Sequence, residues 1–225
     1  MGLTIFGAVL GSIIAAIVTI YVELLRKPRM ELQLVPPVDL ALVNQPAQQM
    51  RALRIRVINR PLSGWVRWMY RSPALQCHGT ITFHHLDGQN VFGRSMIIRW
   101  AGTPEPNPLI IQIGNTQGLV FDPVRITHMQ KMDVYPGESA EIDVAARFDN
   151  EPECYGWSNE SYFSSPPWRT TAWCLMPGRY IVRVSVLSSG ETISSLFRLV
   201  NDVAQHDFRL EDALPSDSVR LCEKT

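Results

Sequence analysis

From residue 3 to residue 22 the chain runs for 20 positions without one charged side chain. No other feature constrains the fold as much. Twenty helical residues rise about 30 Å, the thickness of a bilayer's hydrocarbon core. The hydroxyls of Thr4, Ser12 and Thr19 can bond back to the helix that carries them. Tyr21 closes the run with a ring suited to the headgroup region. Arg26, Lys27 and Arg29 follow at once, and Pro28 discourages further helix. A cleaved signal peptide would have a basic start, a shorter apolar stretch and a small-x-small cleavage site. Nothing basic precedes this run, and it ends in Tyr-Val-Glu-Leu-Leu. The expected organisation is a transmembrane anchor helix with its basic flank over 1–28, a β domain over 29–201 and an acidic C-terminal tail over 202–225.

The formal net charge is zero, which removes any global pull toward nucleic acid, and no nucleic-acid partner is expected. The balance is uneven along the chain. Residues 1–60 hold seven Lys/Arg against three Asp/Glu, whereas residues 138–175 hold two against seven and residues 201–225 three against six. The basic part follows the apolar run, where anionic headgroups reward it by about 1 kcal/mol per basic residue held near the surface. The positive-inside rule, applied to Arg26, Lys27 and Arg29, puts the domain in the cytoplasm of a single-pass cell-membrane protein. Cys77, Cys154, Cys174 and Cys222 form no close-spaced pair and no disulfide framework. A Cys154–Cys174 bridge stays open for a domain on the outer side. Asn159-Glu160-Ser161 fits the glycosylation triplet, a pattern common by chance.

Past the anchor the apolar residues alternate with period two, the mark of half-buried strands. A first strand spans 30–35 and stops at Pro36-Pro37; residues 40–50 read as a loop. Leu53, Ile55 and Val57 share a face. So do Leu75, Cys77, Gly79, Ile81 and Phe83 on a longer strand, with a turn at Asp87-Gly88 and a return over 96–100. Shorter strands fall at 109–113 and 124–129. After a turn at Pro136-Gly137, Ile142, Val144, Ala146 and Phe148 alternate with charged or small neighbours. In the last hairpin Tyr180, Val182, Val184 and Val186 lead into Ser189-Gly190, and Ile193, Ser195, Phe197 and Leu199 return. The acidic tail reads as partly loose, with Phe208 and Leu210 able to cap the domain. Eight or nine short strands between Gly/Pro turns indicate an all-β, antiparallel immunoglobulin-like β-sandwich, with a barrel as the alternative.

Enzyme signatures are missing: no phosphate loop, no Gly-x-Gly-x-x-Gly, no Gly-x-Ser-x-Gly elbow. No Cys-x-x-Cys or His-Glu-x-x-His gives metal-site spacing, so neither metal nor cofactor is expected. His84 and His85, or Cys77 and His78, would point to opposite faces of a strand. His78, His84 and His128 read as surface or packing histidines. Three features stand out. Gly7, Gly11, Ala15 and Thr19 recur every four residues and line one face of the anchor, a ridge that lets another helix approach closely in lipid. Trp65, Trp68 and Tyr70 are interleaved with Arg67 and Arg71, a composition that suits a membrane interface, a core ring beside exposed partners or, against the neutral net charge, nucleic acid. Residues 150–174 hold Tyr155, Trp157, Tyr162, Phe163, Trp168 and Trp173 among Ser, Asn, Glu and paired prolines. Such a segment can be a binding loop, since rigid rings give contact area at low entropy cost. It can also be a plug for one end of the domain.

The run Tyr155-Gly156-Trp157-Ser158-Asn159-Glu160-Ser161-Tyr162-Phe163, with Trp173, Pro177-Gly178-x-Tyr180 and Phe197-x-Leu199-x-Asn201-Asp202, resembles bacterial single-pass proteins with a membrane-anchored β domain. The resemblance covers roughly the last third of the chain and implies no activity. The expected role is a non-enzymatic binding or structural module, possible as an accessory subunit of a membrane protein complex. Its expected partners are membrane lipid and a protein partner or second copy, met through the helix and the aromatic loop. The alternative is an extracytoplasmic ligand- or carbohydrate-binding module using residues 150–174.

Overall fold

The computed structural model describes residues 2–42, 45–62, 64–66, 68–103, 109–114, 116–120, 131–162, 169–189 and 191–222. Helix α1 spans Gly2–Arg26. Within it, residues 9–26 are long and apolar enough to cross a membrane, with a mean hydropathy of 1.9 and no part buried by the rest of the chain. Its hydroxyls are satisfied internally: Ser12 Oγ donates to the Val9 carbonyl (2.9 Å) and Thr19 Oγ1 to that of Ala15 (2.8 Å). The helix stops at Lys27-Pro28, as expected where proline removes an amide donor.

The rest is mostly β, in antiparallel sheets. The first sheet contains β1 (Met30–Leu34), β2 (Val38–Leu42), β3 (Gln45–Asn59), β6 (Arg99–Trp100), β10 (Ser139–Phe148), β11 (Cys154–Gly156) and β12 (Cys174–Leu175). Its order is β1-β3-β10-β11-β12, with β2 also on β3 and β6 also on β10. The second sheet contains β4 (Ala74–His84), β5 (Met96–Ile97), β9 (Met132–Val134), β13 (Arg179–Ser188), β14 (Glu191–Val200) and β15 (Arg209–Asp212). Its order is β15-β14-β13-β4-β5, with β9 also on β4. Strands β7 (Leu109–Ile113) and β8 (Thr116–Val120) form a separate hairpin. Short helices α2 (Asn159–Tyr162) and α3 (Pro215–Cys222) complete the fold.

The sheets share one core. Leu53, Ile55, Val57, Trp100 and Ile142 of the first meet Ile81, Phe83, Val182, Val184 and Phe197 of the second, all buried. Each such side chain removed from water contributes about 1.5–3 kcal/mol. The expected strand faces hold along β3 and β13. The expected return strand at 96–100 is split, β5 pairing with β4 and β6 with β10, so the chain changes sheets at Ile98.

Four expectations are corrected. Residues 40–42 and 45–50 are strand rather than loop: β2 and β3 pair there, Leu40 opposite Met50. Leu75 does not share the face of Cys77. Gln76 takes a positive φ of 53° and the pairing slips between Ala74 and Cys77, so Ala74 is buried in its place and Leu75 is exposed. On β10 the register shifts between Asp143 and Ala145. Ile142 and Val144 therefore face the common core while Ala146 and Phe148 join a second cluster with Met50, Ala52, Tyr155 and Trp157. The acidic segment is not loose over the described residues 202–222. Strand β15 pairs with β14, Phe208 is fully buried, and Asp217 at the start of α3 forms two 2.7 Å hydrogen bonds with Arg198. The expected strand at 124–129 lies outside the described residues.

Candidate functional site

The aromatic segment is built from β10 outward. Strand β11 pairs with β10, Ala146 opposite Tyr155, and the Trp157 amide donates to the carbonyl of the bulged Val144 (2.8 Å). Alternation then sends Cys154 into the common core and Tyr155 to the opposite face of the sheet. Tyr155 (7% exposed) and Trp157 (4%) cover that face with Phe148, whose ring meets the Tyr155 ring edge-on at 6.1 Å. The Arg169 guanidinium lies 3.8 Å from the Phe148 centroid. Trp173 (4% exposed) enters the common core, edge-on to Phe92 at 5.7 Å and under the guanidinium of Arg94 at 4.2 Å. These three rings are thus packing groups, and Trp157 is not the exposed contact that its composition suggests. Tyr162 ends α2, while Phe163 and Trp168 lie outside the described residues.

Four polar residues of the same motif, Ser158, Asn159, Ser161 and Asn201, are also buried, and each makes a hydrogen bond. Ser158 Oγ accepts from the Ser161 amide (3.1 Å), and Ser161 Oγ accepts from the Ser158 amide (2.8 Å), a reciprocal cap that starts α2. Asn159 is buried, with Oδ1 accepting from Arg99 (3.4 Å), so its glycosylation triplet is enclosed. Asn201, fully enclosed, donates from Nδ2 to the carbonyls of Leu175 (3.2 Å) and Met176 (3.3 Å) and accepts from Arg147 (3.3 Å). Nothing in the alternation pattern marks Asn201 as a hub; its place one step beyond β14 does.

Asp143 at the β10 bulge is a buried carboxylate, as is Asp217 at the start of α3. Arg54 donates to it at 2.8 Å and Arg99 stands at 3.7 Å. Burial pushes the Asp143 carboxyl above its ordinary range, and the two guanidinium groups oppose the shift. Beside it an open groove of about 440 Å³ is lined by Arg54, Ala101, Gly102, Ser139, Ala140 and Glu141. Arg54 and Glu141 face each other across it at 3.8 Å, so its charges are already matched.

Cys77, Cys154, Cys174 and His84 are each held in packed or hydrogen-bonded surroundings. Register places Cys174 opposite Tyr155 and Cys154 opposite Leu175. Cys154 faces the common core and Cys174 the other cluster, so the two do not bridge; both are free thiols, as is Cys77. Burial pushes the Cys154 and Cys174 thiols up and the Cys77 thiol to about 11, against thiolate formation. His84 Nδ1 donates to the Gly88 carbonyl (3.1 Å) and Nε2 shares a hydrogen with the Thr82 hydroxyl (3.0 Å), leaving no lone pair for a metal. His128 lies outside the described residues. Among the described residues no group of three His, Cys, Asp or Glu converges.

The helix-proximal end is held by one amide that the sequence reading missed. Asn59, at the end of β3, is fully buried. Its Oδ1 accepts from the Arg29 amide (3.1 Å), and Nδ2 donates to the carbonyls of Ser72 and Val134 (both 3.1 Å). The Ser72 amide donates to the Arg26 carbonyl (2.7 Å) and Arg71 Nη1 to the Lys27 carbonyl (2.6 Å). The exit of α1 is therefore fixed to residues 59–74, which carry Trp68 (73% exposed) and Tyr70 (85%). In α1 itself the small-residue ridge is uncovered from Gly11 onward: no atom lies within 4 Å of a side chain built on Gly11, and Ala15 and Thr19 are exposed.

No protein-family model matches this chain, and no curated protein or solved structure is significantly similar to it.

Proposed function

We propose that the chain is a membrane-anchored, non-enzymatic binding or structural module, an accessory subunit of a bacterial membrane complex, with its domain in the cytoplasm. The observation that carries this reading is the junction. A helix apolar enough to cross a bilayer runs into an antiparallel β domain and is tied to it through Arg26, Lys27 and Arg29. A rigid junction lets force or position pass between lipid and domain, which a floppy linker would not. The ridge of Gly7, Gly11, Ala15 and Thr19, exposed at Gly11, Ala15 and Thr19, gives a second helix a close approach.

An immunoglobulin-like sandwich is the finer fold reading. Such domains place strands A, B, E and D in one sheet and C, F and G in the other. In chain order β1, β3, β10 and β6 would take the first set and β4, β13 and β14 the second, which the pairing order supports. Tyr180, near the start of β13, donates from Oη to the Met176 carbonyl (2.8 Å), the bond of a tyrosine corner. The carbohydrate-binding alternative loses Tyr155, Trp157 and Trp173 as exposed rings.

Purification of the full chain in mild detergent, with identification of accompanying proteins, tests the assembly. A stoichiometric membrane protein or a second copy is expected; a monodisperse single chain bearing a bound sugar would overturn it. Protease added to intact cells should leave the domain uncut.

A further inference from the structure

We infer that the helix-proximal end of the domain is a seating face for the phospholipid surface, with Trp68, Tyr70 and Tyr135 in the headgroup layer and Leu75 and Leu187 at its rim. This rests on the reading that α1 crosses a bilayer. The first support is distribution. Among the described residues outside α1, eight large apolar side chains are exposed, and these five all lie at the end from which the helix emerges. Ala74 starts β4 there, Val134 is its partner, and Tyr135 follows in the turn that Gly137 closes on the Asn59 carbonyl (2.8 Å). The Leu75 carbonyl accepts from the Ser189 amide (3.1 Å), which brings in the end of β13 that carries Leu187.

The second support is height. If Tyr21 marks the edge of the hydrocarbon, Arg26 stands five residues further, about 7.5 Å above it. Each headgroup layer is roughly 5–8 Å deep. Ser72 is hydrogen-bonded to Arg26 and so shares its level. Tyr70 is two residues from Ser72 and Trp68 four, within about 7 Å and 14 Å along even an extended chain. The third support is chemistry. Trp and Tyr are the side chains enriched at membrane interfaces. Residues 24–29 and 60–72 also contain no acidic residue, and Arg26, Lys27 and Arg29 give this end its basic charge, with Glu23 only loosely paired to Arg26 at 3.9 Å.

The test uses the full chain reconstituted in phosphatidylcholine–phosphatidylglycerol vesicles whose lipids are brominated high on the acyl chain. Tryptophan fluorescence is compared with that in unbrominated vesicles, for the wild-type chain, Trp68→Phe, and Trp68→Phe with Tyr135→Trp. Brominated lipid should quench the wild type, Trp68→Phe should lose most of that quenching, and Tyr135→Trp should bring it back. Flotation with the vesicles after alkaline extraction reports anchoring separately. Vesicles that float with the protein but quench wild type and Trp68→Phe alike, with no gain from Tyr135→Trp, overturn the seating face and leave the anchor standing. Failure to float overturns the anchor reading itself, and the seating face with it.

Discussion

Asn59 does at the scale of one residue what its neighbours cannot. Its amide closes three backbone gaps where the helix, the 60–72 segment and the turn after β9 meet. An alternating strand pattern gives no hint of this, because a buried asparagine at a strand end reads as a turn residue. Removing it leaves two carbonyls and one amide unpaired in an enclosed site, at about 1–3 kcal/mol for each group left unsatisfied. Asn59→Ala should therefore lower the melting temperature by several degrees, at roughly 2–4 °C per kcal/mol for a domain of this size. A melting temperature equal to wild type would mean that water replaces the amide at no cost. Trp157 gives the opposite lesson. Its neighbours Tyr155 and Ser158 make the segment look like a binding loop, yet its ring is packed with Met50, Ala52, Ala146 and Phe148. Trp157→Ala should cost about 3–5 kcal/mol of folding stability, read as a shift in the urea midpoint. An unchanged midpoint would return the ring to the surface.

At the scale of elements, the strands with unbroken alternation were legible and those with bulges were not. β13 and β14 follow their pattern from end to end. β4 and β10 each carry an irregularity, at Gln76 and at Val144, and every residue on one side of it changes face. Sequence period alone cannot locate a bulge, because the inserted residue leaves the pattern intact on either side. The outer cluster was illegible for a related reason. Met50, Ala52, Ala146 and Phe148 face away from the other sheet, and only the return of residues 154–157 makes that face an interior. The C-terminal segment was misjudged on its acidity, since Asp217 is neutralised by Arg198 and caps α3 by accepting from the Leu214 amide (2.8 Å). The paired Arg198 guanidinium holds the Asp217 carboxyl below its ordinary 3.8, with burial opposing and the Leu214 amide assisting. A carboxyl lowered on folding stabilises the fold at pH above its unfolded value, and that contribution is lost as pH falls through the folded value. Asp217→Asn should thus cost about 1.5–3 kcal/mol near neutrality. The difference from wild type in urea midpoint should stay constant down to about pH 5 and shrink below about pH 4. A difference independent of pH would show that the cap, rather than the charge, is what Asp217 supplies.

At the scale of the whole molecule, the chain separates into a domain whose apolar residues are satisfied by one another and a helix whose residues are not. The side chains of α1 described from Val9 to Tyr21 are exposed, and no strand packs on them. In water that would be untenable, since 18 of its residues average a hydropathy of 1.9. If α1 crosses a bilayer, as its length and hydropathy allow, that exposure is the ordinary state, and the question becomes whether the helix meets lipid alone or a second helix as well. Hydrophobicity does not decide this, because lipid tails are as apolar as leucine; close packing does. The face of Gly7, Gly11, Ala15 and Thr19 keeps the helix surface low along about three turns, and the Thr19 hydroxyl is already bonded to Ala15, so no unmet polar group weakens the approach. Gly7→Ile with Gly11→Ile raises two bulky side chains on that face while adding apolar surface, so insertion should be retained. The described hydrogen bonds between domain and helix begin at Arg26, far from Gly7 and Gly11, so the domain should keep its melting temperature. What should change is assembly: in mild detergent the double variant should elute as a smaller particle and lose the protein that accompanies the wild type. Elution at the wild-type position with the same companion would leave the ridge as background composition, and would move the association surface from the helix to the domain.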